Sequence, residues 1–294
     1  MSGFRSGIVA VVGRPNVGKS TLVNALVGLK VAIVSDKPQT TRRDIRGILT
    51  TAEAQVVFTD TPGFHKAKTA LGARMNDLVG DAVHGVDVVV HVVDGKSGVG
   101  RGDAYVYERQ VATEGCPRFC VVNKIDALTR DLVLPQLAAA AALGDFDEIV
   151  PLSARDGEGV ELLRELILCR LPEGPPLYPA EDTTDQPVEI HLAELVREQA
   201  LAVTREEVPY SVAVVVDEME RQGDLTRVIA ALIVERDSQK GILIGKGGET
   251  LKKIGTRARA EMESFLGTKV FLDLRVKVMK EWQRDPKALN RLGL

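Results

Sequence analysis

The sequence predicts two domains, an α/β unit of alternating strands and helices followed by a smaller α+β unit. Three observations lead there. Short β-branched runs recur through the first part of the chain with helical stretches between them. A proline-rich segment then interrupts the pattern, and beyond it the charge changes sign. At 294 residues the chain is long enough for two cores.

The runs in the first part are Ile8–Val12, Gln55–Thr59, Val86–Val93, Arg118–Val122 and Glu148–Leu152. All but the second are nearly continuous in apolar residues, as expected of strands in a mostly parallel sheet covered on both faces. The segment from Leu171 to Gln186 holds four prolines and little apolar content, with Pro187 directly after it, and reads as a linker. The expected boundaries are residues 1–172 for the α/β domain, 173–187 for the linker and 188–294 for the second domain. That second domain reads helix, strand, strand, helix, helix, strand. Its first helix carries Leu192, Leu195, Val196 and Gln199. A hairpin of Tyr210–Asp217 and Thr226–Asp237 turns through residues 221–224. A short helix at Gly241–Ile244 and a longer one at Glu249–Phe265 precede a closing strand, Lys269–Val278.

Charge divides the chain. Residues 221–294 hold 16 Lys+Arg against 9 Asp+Glu, a balance of +7, while the rest hold 22 against 32, a balance of −10. An acidic body with a basic end points to a polyanionic partner at that end. No apolar run approaches the ~20 residues that span a bilayer, and the opening residues show no apolar leader, so a cytoplasmic protein is expected. Cys116, Cys120 and Cys169 have no metal-ligand spacing and read as packing residues in a reducing compartment.

The chemistry is concentrated in four short motifs. Gly13-Arg14-Pro15-Asn16-Val17-Gly18-Lys19-Ser20 fits the phosphate-binding loop G-x-x-x-x-G-K-[ST], placed between a strand and a helix that opens at Thr21. Its backbone N–H groups and the helix N-terminus would cradle phosphates, with Lys19 bridging the β- and γ-phosphates and Ser20 holding Mg²⁺. Asp60-Thr61-Pro62-Gly63 ends the second run. There the Asp60 carboxylate can serve Mg²⁺, and the Gly63 N–H can reach the γ-phosphate. Asn123-Lys124-Ile125-Asp126 ends the fourth run and selects the base. Asp126 accepts from guanine N1–H and the N2 amino group, donors that adenine lacks. Lys124 would lie over the ring and Asn123 would tie this loop to the phosphate loop. Ser153-Ala154-Arg155 would bring the Ala154 N–H near guanine O6. Between Ser20 and Asp60, Thr40 and Thr41 both qualify as the threonine that closes over Mg²⁺, with Thr41 preferred. The ligand implied is GTP or GDP.

In the second domain Gly245-Lys246-Gly247-Gly248 forms a Gly-x-x-Gly turn between two apolar helical stretches. Such a turn admits a nucleic-acid backbone closely, and Lys246, Lys252 and Lys253 would supply charge. Ile244, Ile254 and Val234 are either the floor of a base-binding groove or core.

Over nearly its whole length the chain resembles the bacterial Era family, an α/β P-loop GTPase domain followed by an α+β type II KH domain. The resemblance rests on Gly13–Ser20, Gln39–Arg42, Asp60–Gly63, Asn123–Asp126, Ser153–Arg155, Gly245–Gly248 and the tail Lys280–Leu289. It implies assembly of the 30S ribosomal subunit, with the KH domain on the 3′ end of 16S rRNA. It also implies a monomer with peripheral association at the inner face of the cell membrane, and coupling between nucleotide state and RNA occupancy. Two departures from Ras-like enzymes bear on mechanism. Phe64 stands where those enzymes carry a water-orienting glutamine, so slow intrinsic hydrolysis is expected and no general base is assigned, His65 included. Asn16 matches an asparagine with which some relatives hold K⁺ beside the phosphates. A tRNA-modification GTPase would share the Thr-Thr-Arg segment, but such enzymes have no Gly-x-x-Gly domain behind the GTPase domain.

Overall fold

The computed structural model describes residues 3–63, 69–112 and 115–294, apart from the side chains of residues 79 and 81. The chain divides into two compact units, the first running in the main to Asp185 and the second from Gln186 to Leu294.

In the first unit the elements are β1 (Arg5–Val12), α1 (Lys19–Val27), β2 (Ile45–Thr50), β3 (Ala54–Asp60), α2 (Ala70–Asp81), β4 (Val88–Asp94), α3 (Arg101–Val106), β5 (Arg118–Asn123), α4 (Arg130–Ala141), β6 (Glu148–Pro151) and α5 (Val160–Arg170). The sheet order is β2-β3-β1-β4-β5-β6, parallel throughout except for antiparallel β2. Both faces are covered, which is why the strands are apolar at successive positions. Val9, Val11, Val90, Val92 and Val121 pack with Leu22 and Leu26 of α1 and Leu163 and Ile167 of α5. On the opposite face Ala10, Val12 and Val89 meet Val106 and the turn Tyr107–Val111, while Val93, Cys120 and Val122 meet Ala140 of α4. A right-handed βαβ winding of this kind brings the loops after β1, β3, β5 and β6 to one end of the sheet, where open α/β folds bind ligands.

Strand β2 was not among the expected runs. Arg46 and Gly47 interrupt its apolar pattern, and Gly47 is there because helix α1 lies close: a Cβ would come within 2.8 Å of Val27 and 3.0 Å of Val23. The segment 173–187, read as a linker, is strapped along the first unit as far as Asp185. The Gln55 side chain accepts from Leu177 N (2.6 Å) and Tyr178 N (2.8 Å) and donates to Tyr178 O (2.9 Å). Ile48 N donates to Thr183 O at 2.8 Å, and Arg46 donates to the Tyr178 hydroxyl at 2.9 Å. The edge strand β2 has backbone donors to satisfy, and the passing chain satisfies them.

The second unit comprises α6 (Val188–Val203), α7 (Val208–Ser211), β7 (Ala213–Gln222), β8 (Leu225–Val234), α8 (Asp237–Ile244), α9 (Glu249–Leu266), β9 (Lys269–Val278) and α10 (Pro286–Arg291). Its sheet runs β7-β8-β9, antiparallel between the first pair and parallel between the second. Three boundaries differ from the sequence expectation. Tyr210 lies in α7, which carries Pro209 in its first turn, so the hairpin begins at Ala213. The strands extend further than expected and turn through Gly223 and Asp224. Strand β8 stops at Val234 because the Gln239 side chain accepts from Glu235 N (3.0 Å) and Arg236 N (3.1 Å), which starts α8 at Asp237. The tail folds back onto this unit: Trp282 is fully buried and its indole N–H donates to Ser211 O at 3.1 Å.

Candidate nucleotide site and nucleic-acid groove

The phosphate loop is shaped by its glycines and held from behind. Gly18 sits at φ +100°, where a side chain would also collide with the Asn123 amide. The Lys19 ammonium donates to the carbonyls of Gly13 (3.1 Å) and Arg14 (3.0 Å). Burial pulls its pKa down to about 8, with the Asp60 carboxylate acting in the opposite direction. Arg14 is braced from the far side, since its Nε donates to Asp103 Oδ1 at 2.8 Å and Asp103 is fully buried on α3. Neither Arg14 nor Asp103 stands out in the sequence, because an Arg–Asp pair so far apart leaves no local pattern.

Ser20, Thr41 and Asp60 come together as expected. Ser20 Oγ donates to Asp60 Oδ2 at 2.7 Å, Thr41 Oγ1 donates to the same oxygen at 3.2 Å, and the two hydroxyls lie 3.0 Å apart. The Thr40 hydroxyl donates instead to Lys37 O at 2.7 Å, although Thr40 also lines the cavity. Burial raises the Asp60 pKa, opposed by Lys19 and by both hydroxyls. Its second oxygen, Oδ1, is buried and has no hydrogen-bond partner among the described residues. A buried carboxylate oxygen left over beside two hydroxyls is the donor set of a hard cation, so these three residues fit Mg²⁺. A cavity of about 550 Å³ opens here, walled by Asn16, Val17, Gly18, Lys19, Ser20, Thr21, Thr41, Gly63 and Lys124. Arg14, Pro15, Val34, Ser35, Asp36, Gln39, Thr40, Asp94 and Ser97 line the rest of it. Asn16 donates its side-chain amide to Asp36 O at 2.8 Å.

Asn123 organises the base-reading end. It donates to Val17 O at 2.9 Å and accepts from Lys124 N (2.8 Å) and Ala154 N (3.0 Å). The phosphate loop, the Asn-Lys-x-Asp loop and the Ser-Ala loop are thereby tied through one amide. The Ala154 N–H, expected at guanine O6, is thus already engaged by Asn123. Lys124 spans the site, its ammonium 2.6 Å from Asn16 O and 2.7 Å from Asp94 Oδ2. Asp94, another residue with no sequence signal, fixes that span. Asp126 receives the Ser153 hydroxyl on Oδ1 at 2.7 Å and the Arg155 guanidinium on Oδ2 at 2.9 Å. Phe64 and His65 lie outside the described residues.

In the second unit the turn between α8 and α9 is built from Gly245 (φ +73°), Lys246, Gly247 (φ +60°) and Gly248 (φ +84°). Lys246 is exposed at its tip. A groove of about 440 Å³ runs from Gly248 along α9, floored by Leu251, Leu272 and Leu274 and edged by Lys252 and Arg259. Lys253 is exposed one residue further round α9 and is not part of this lining. Ile254 and Val234 are fully buried core, and Ile244 is half-buried. The floor comes instead from β9, whose apolar alternation reads equally well as core.

The comparisons with known proteins agree with this division. Residues 8–124 match the family model described as 50S ribosome-binding GTPase, and residues 207–283 match the KH domain model. GTPase Era of Mycolicibacterium smegmatis is 51% identical, and that of Mycolicibacterium paratuberculosis 52% identical, each with 100% of both chains covered. Among solved structures, Era in complex with MgGDPNP and nucleotides 1506–1542 of 16S ribosomal RNA superposes with a TM-score of 0.94 at 39% identity. A variant of Aquifex aeolicus Era bound to GDP and AlF4⁻ gives 0.95 at 40%. Both cover 99% of each chain. With half of its residues identical over the full length of such relatives, the chain belongs to the Era family of GTPases.

Proposed function

We propose that this protein hydrolyses GTP, binds the 3′ end of 16S rRNA through its C-terminal unit and assists maturation of the 30S ribosomal subunit. The observation that carries the reading is the Ser20–Thr41–Asp60 cluster at the mouth of the phosphate loop, on a chain that also bears the Gly245–Gly248 groove. Its relatives' structures with MgGDPNP, with GDP and AlF4⁻ and with 16S rRNA nucleotides support the same assignment.

In this reading the backbone of Gly13, Asn16–Thr21 and Gly63 receives the phosphates, and Lys19 turns its ammonium from the loop carbonyls toward the β- and γ-oxygens. Ser20, Thr41 and Asp60 would hold Mg²⁺, which would offset negative charge on the phosphates. Asp126 accepts the guanine edge, Lys124 flanks the ring, and Asn123 with Ser153 and Ala154 sets their positions. Release of Thr41 after hydrolysis frees the loop that leads into β2. With phenylalanine at position 64, which cannot orient a water, intrinsic hydrolysis is slow and water is positioned by backbone or by a bound partner. Asn16, whose side-chain amide donates to Asp36 O, would offer its side-chain oxygen to K⁺. Gly245, Gly247 and Gly248 let the RNA backbone approach, Lys246 and Lys252 neutralise it, and bases lie on Leu272 and Leu274. Lys253 serves as an outlying charge.

Monomeric state, coupling between the two sites and peripheral association with the inner membrane face complete the reading. Among the described residues no helix is long and apolar enough to cross a membrane. The test is multiple-turnover phosphate release from GTP but not ATP, abolished in Lys19→Ala, together with binding of a labelled 16S 3′-end RNA. Turnover without RNA binding, or the reverse, would contradict it.

A further inference from the structure

The carboxylate assigned to guanine is already engaged by a group of the same donor chemistry. Arg155 Nη2 lies 2.9 Å from Asp126 Oδ2. A guanidinium presents planar N–H donors, as the guanine N1–H and N2 amino edge does. The other carboxylate oxygen receives Ser153 Oγ at 2.7 Å, so an incoming base and Arg155 meet at the same acceptor.

The arrangement is a closed ring rather than a single contact. Arg155 is clamped to Asp156 by Nε to Oδ1 at 2.9 Å and Nη2 to Oδ2 at 3.2 Å. The Asp156 N–H donates to Ser153 Oγ at 3.1 Å, and that hydroxyl donates to Asp126. Arg155 is thereby pre-aimed by its neighbour. Its side chain remains 72% exposed while that of Asp126 is only 12% exposed. An ion pair so exposed at one end is weak enough to yield to a ligand and strong enough to compete with it.

We propose that Arg155 is an internal competitor of guanine for Asp126, and that it sets how readily nucleotide leaves the site. Resting as this does on Asp126 reading the base, it adds a residue that works against retention of the ligand. The Ser-Ala loop then does two things: it orders Asp126 through Ser153 and opposes the base through Arg155. A supporting role for Arg155 would have the opposite consequence, because its removal would loosen the loop and hasten release.

The experiment is dissociation of ribose-labelled fluorescent GDP from the full chain, chased with unlabelled GDP. Arg155→Ala is expected to release it about two- to fivefold more slowly than wild type, the range an exposed ion pair supports. Arg155→Lys should fall between them. Near 1 M salt, where screening acts within about 3 Å, the difference should close. In an Asp126→Asn background, removing Arg155 should change nothing. Faster or unchanged release from Arg155→Ala, with Asp126→Asn still weakening GDP, would overturn the proposal alone. If Asp126→Asn leaves GDP binding intact, the reading of Asp126 falls and takes the proposal with it.

Discussion

Asn123 donates its side-chain amide to the carbonyl of Val17 across 2.9 Å, and so joins the base-reading loop to the phosphate loop. The same side chain accepts from Lys124 N and Ala154 N, so one 2%-exposed amide satisfies three backbone groups, two of them in fully buried bonds. Replacing it with alanine strands them, at about 1–3 kcal/mol for each group left unpaired. Asn123→Ala is therefore expected to weaken GDP binding by about tenfold or more and to lower the melting temperature of the free protein. Calorimetric titration and a thermal melt would measure both.

Thr40 and Thr41 are neighbours with different work. Thr41 points at Asp60, whereas Thr40 closes a turn on Lys37 O. Thr41→Ala is expected to raise the Mg²⁺ concentration needed for half-maximal GTP turnover by roughly ten- to a hundredfold. Thr40→Ala should leave it near wild type and cost about 1 kcal/mol of stability. A Mg²⁺ titration of phosphate release in both variants decides between them.

His91 lies fully buried on β4, and among the described residues neither ring nitrogen has a hydrogen-bond partner. Burial, reinforced by the positive charges of Lys19 and Arg14, holds its pKa down to about 3 from 6.5. The folded protein thus keeps it neutral while the unfolded chain takes up a proton below pH 6.5, so acid destabilises the fold through this residue between roughly pH 6.5 and 3. His91→Leu removes that term. Denaturant melts should show the two proteins within about 1.5 kcal/mol of each other at pH 7.5. The variant should gain on wild type by up to about 1.4 kcal/mol per pH unit below 6.5.

Gln55 is fully buried and makes three hydrogen bonds to the backbone of Leu177 and Tyr178. Gln55→Leu should free the strap from β2 and β3. Limited proteolysis would then cut within residues 173–185 several times faster than in wild type, with the first unit otherwise intact.

Much of this was legible in the sequence, for identifiable reasons. The phosphate loop, Asp60-x-x-Gly63 and Asn123-Lys-x-Asp126 are contiguous, and each follows an apolar strand, so local pattern and position coincide. Strand β2 escaped because Gly47 serves the packing of α1 rather than strand propensity. The strap escaped because prolines mark the absence of regular structure, not the absence of attachment: Gln55 and Ile48, far upstream, supply its bonds. Asp94, Asp103 and Arg155 act through partners that only the fold brings near, or, for Arg155, through the ring that Ser153 and Asp156 close around it. The groove floor at Leu272 and Leu274 escaped because alternation marks one face of a strand without saying whether helix or ligand covers it.

In the proposed function, RNA held by the second unit speeds GTP hydrolysis by the first. Its most direct test is phosphate release from GTP with and without a single-stranded RNA copying the 16S 3′ end, using wild type and Lys246→Asp. RNA is expected to accelerate release by wild type and not by the variant. Release unchanged by an RNA that wild type demonstrably binds would contradict it.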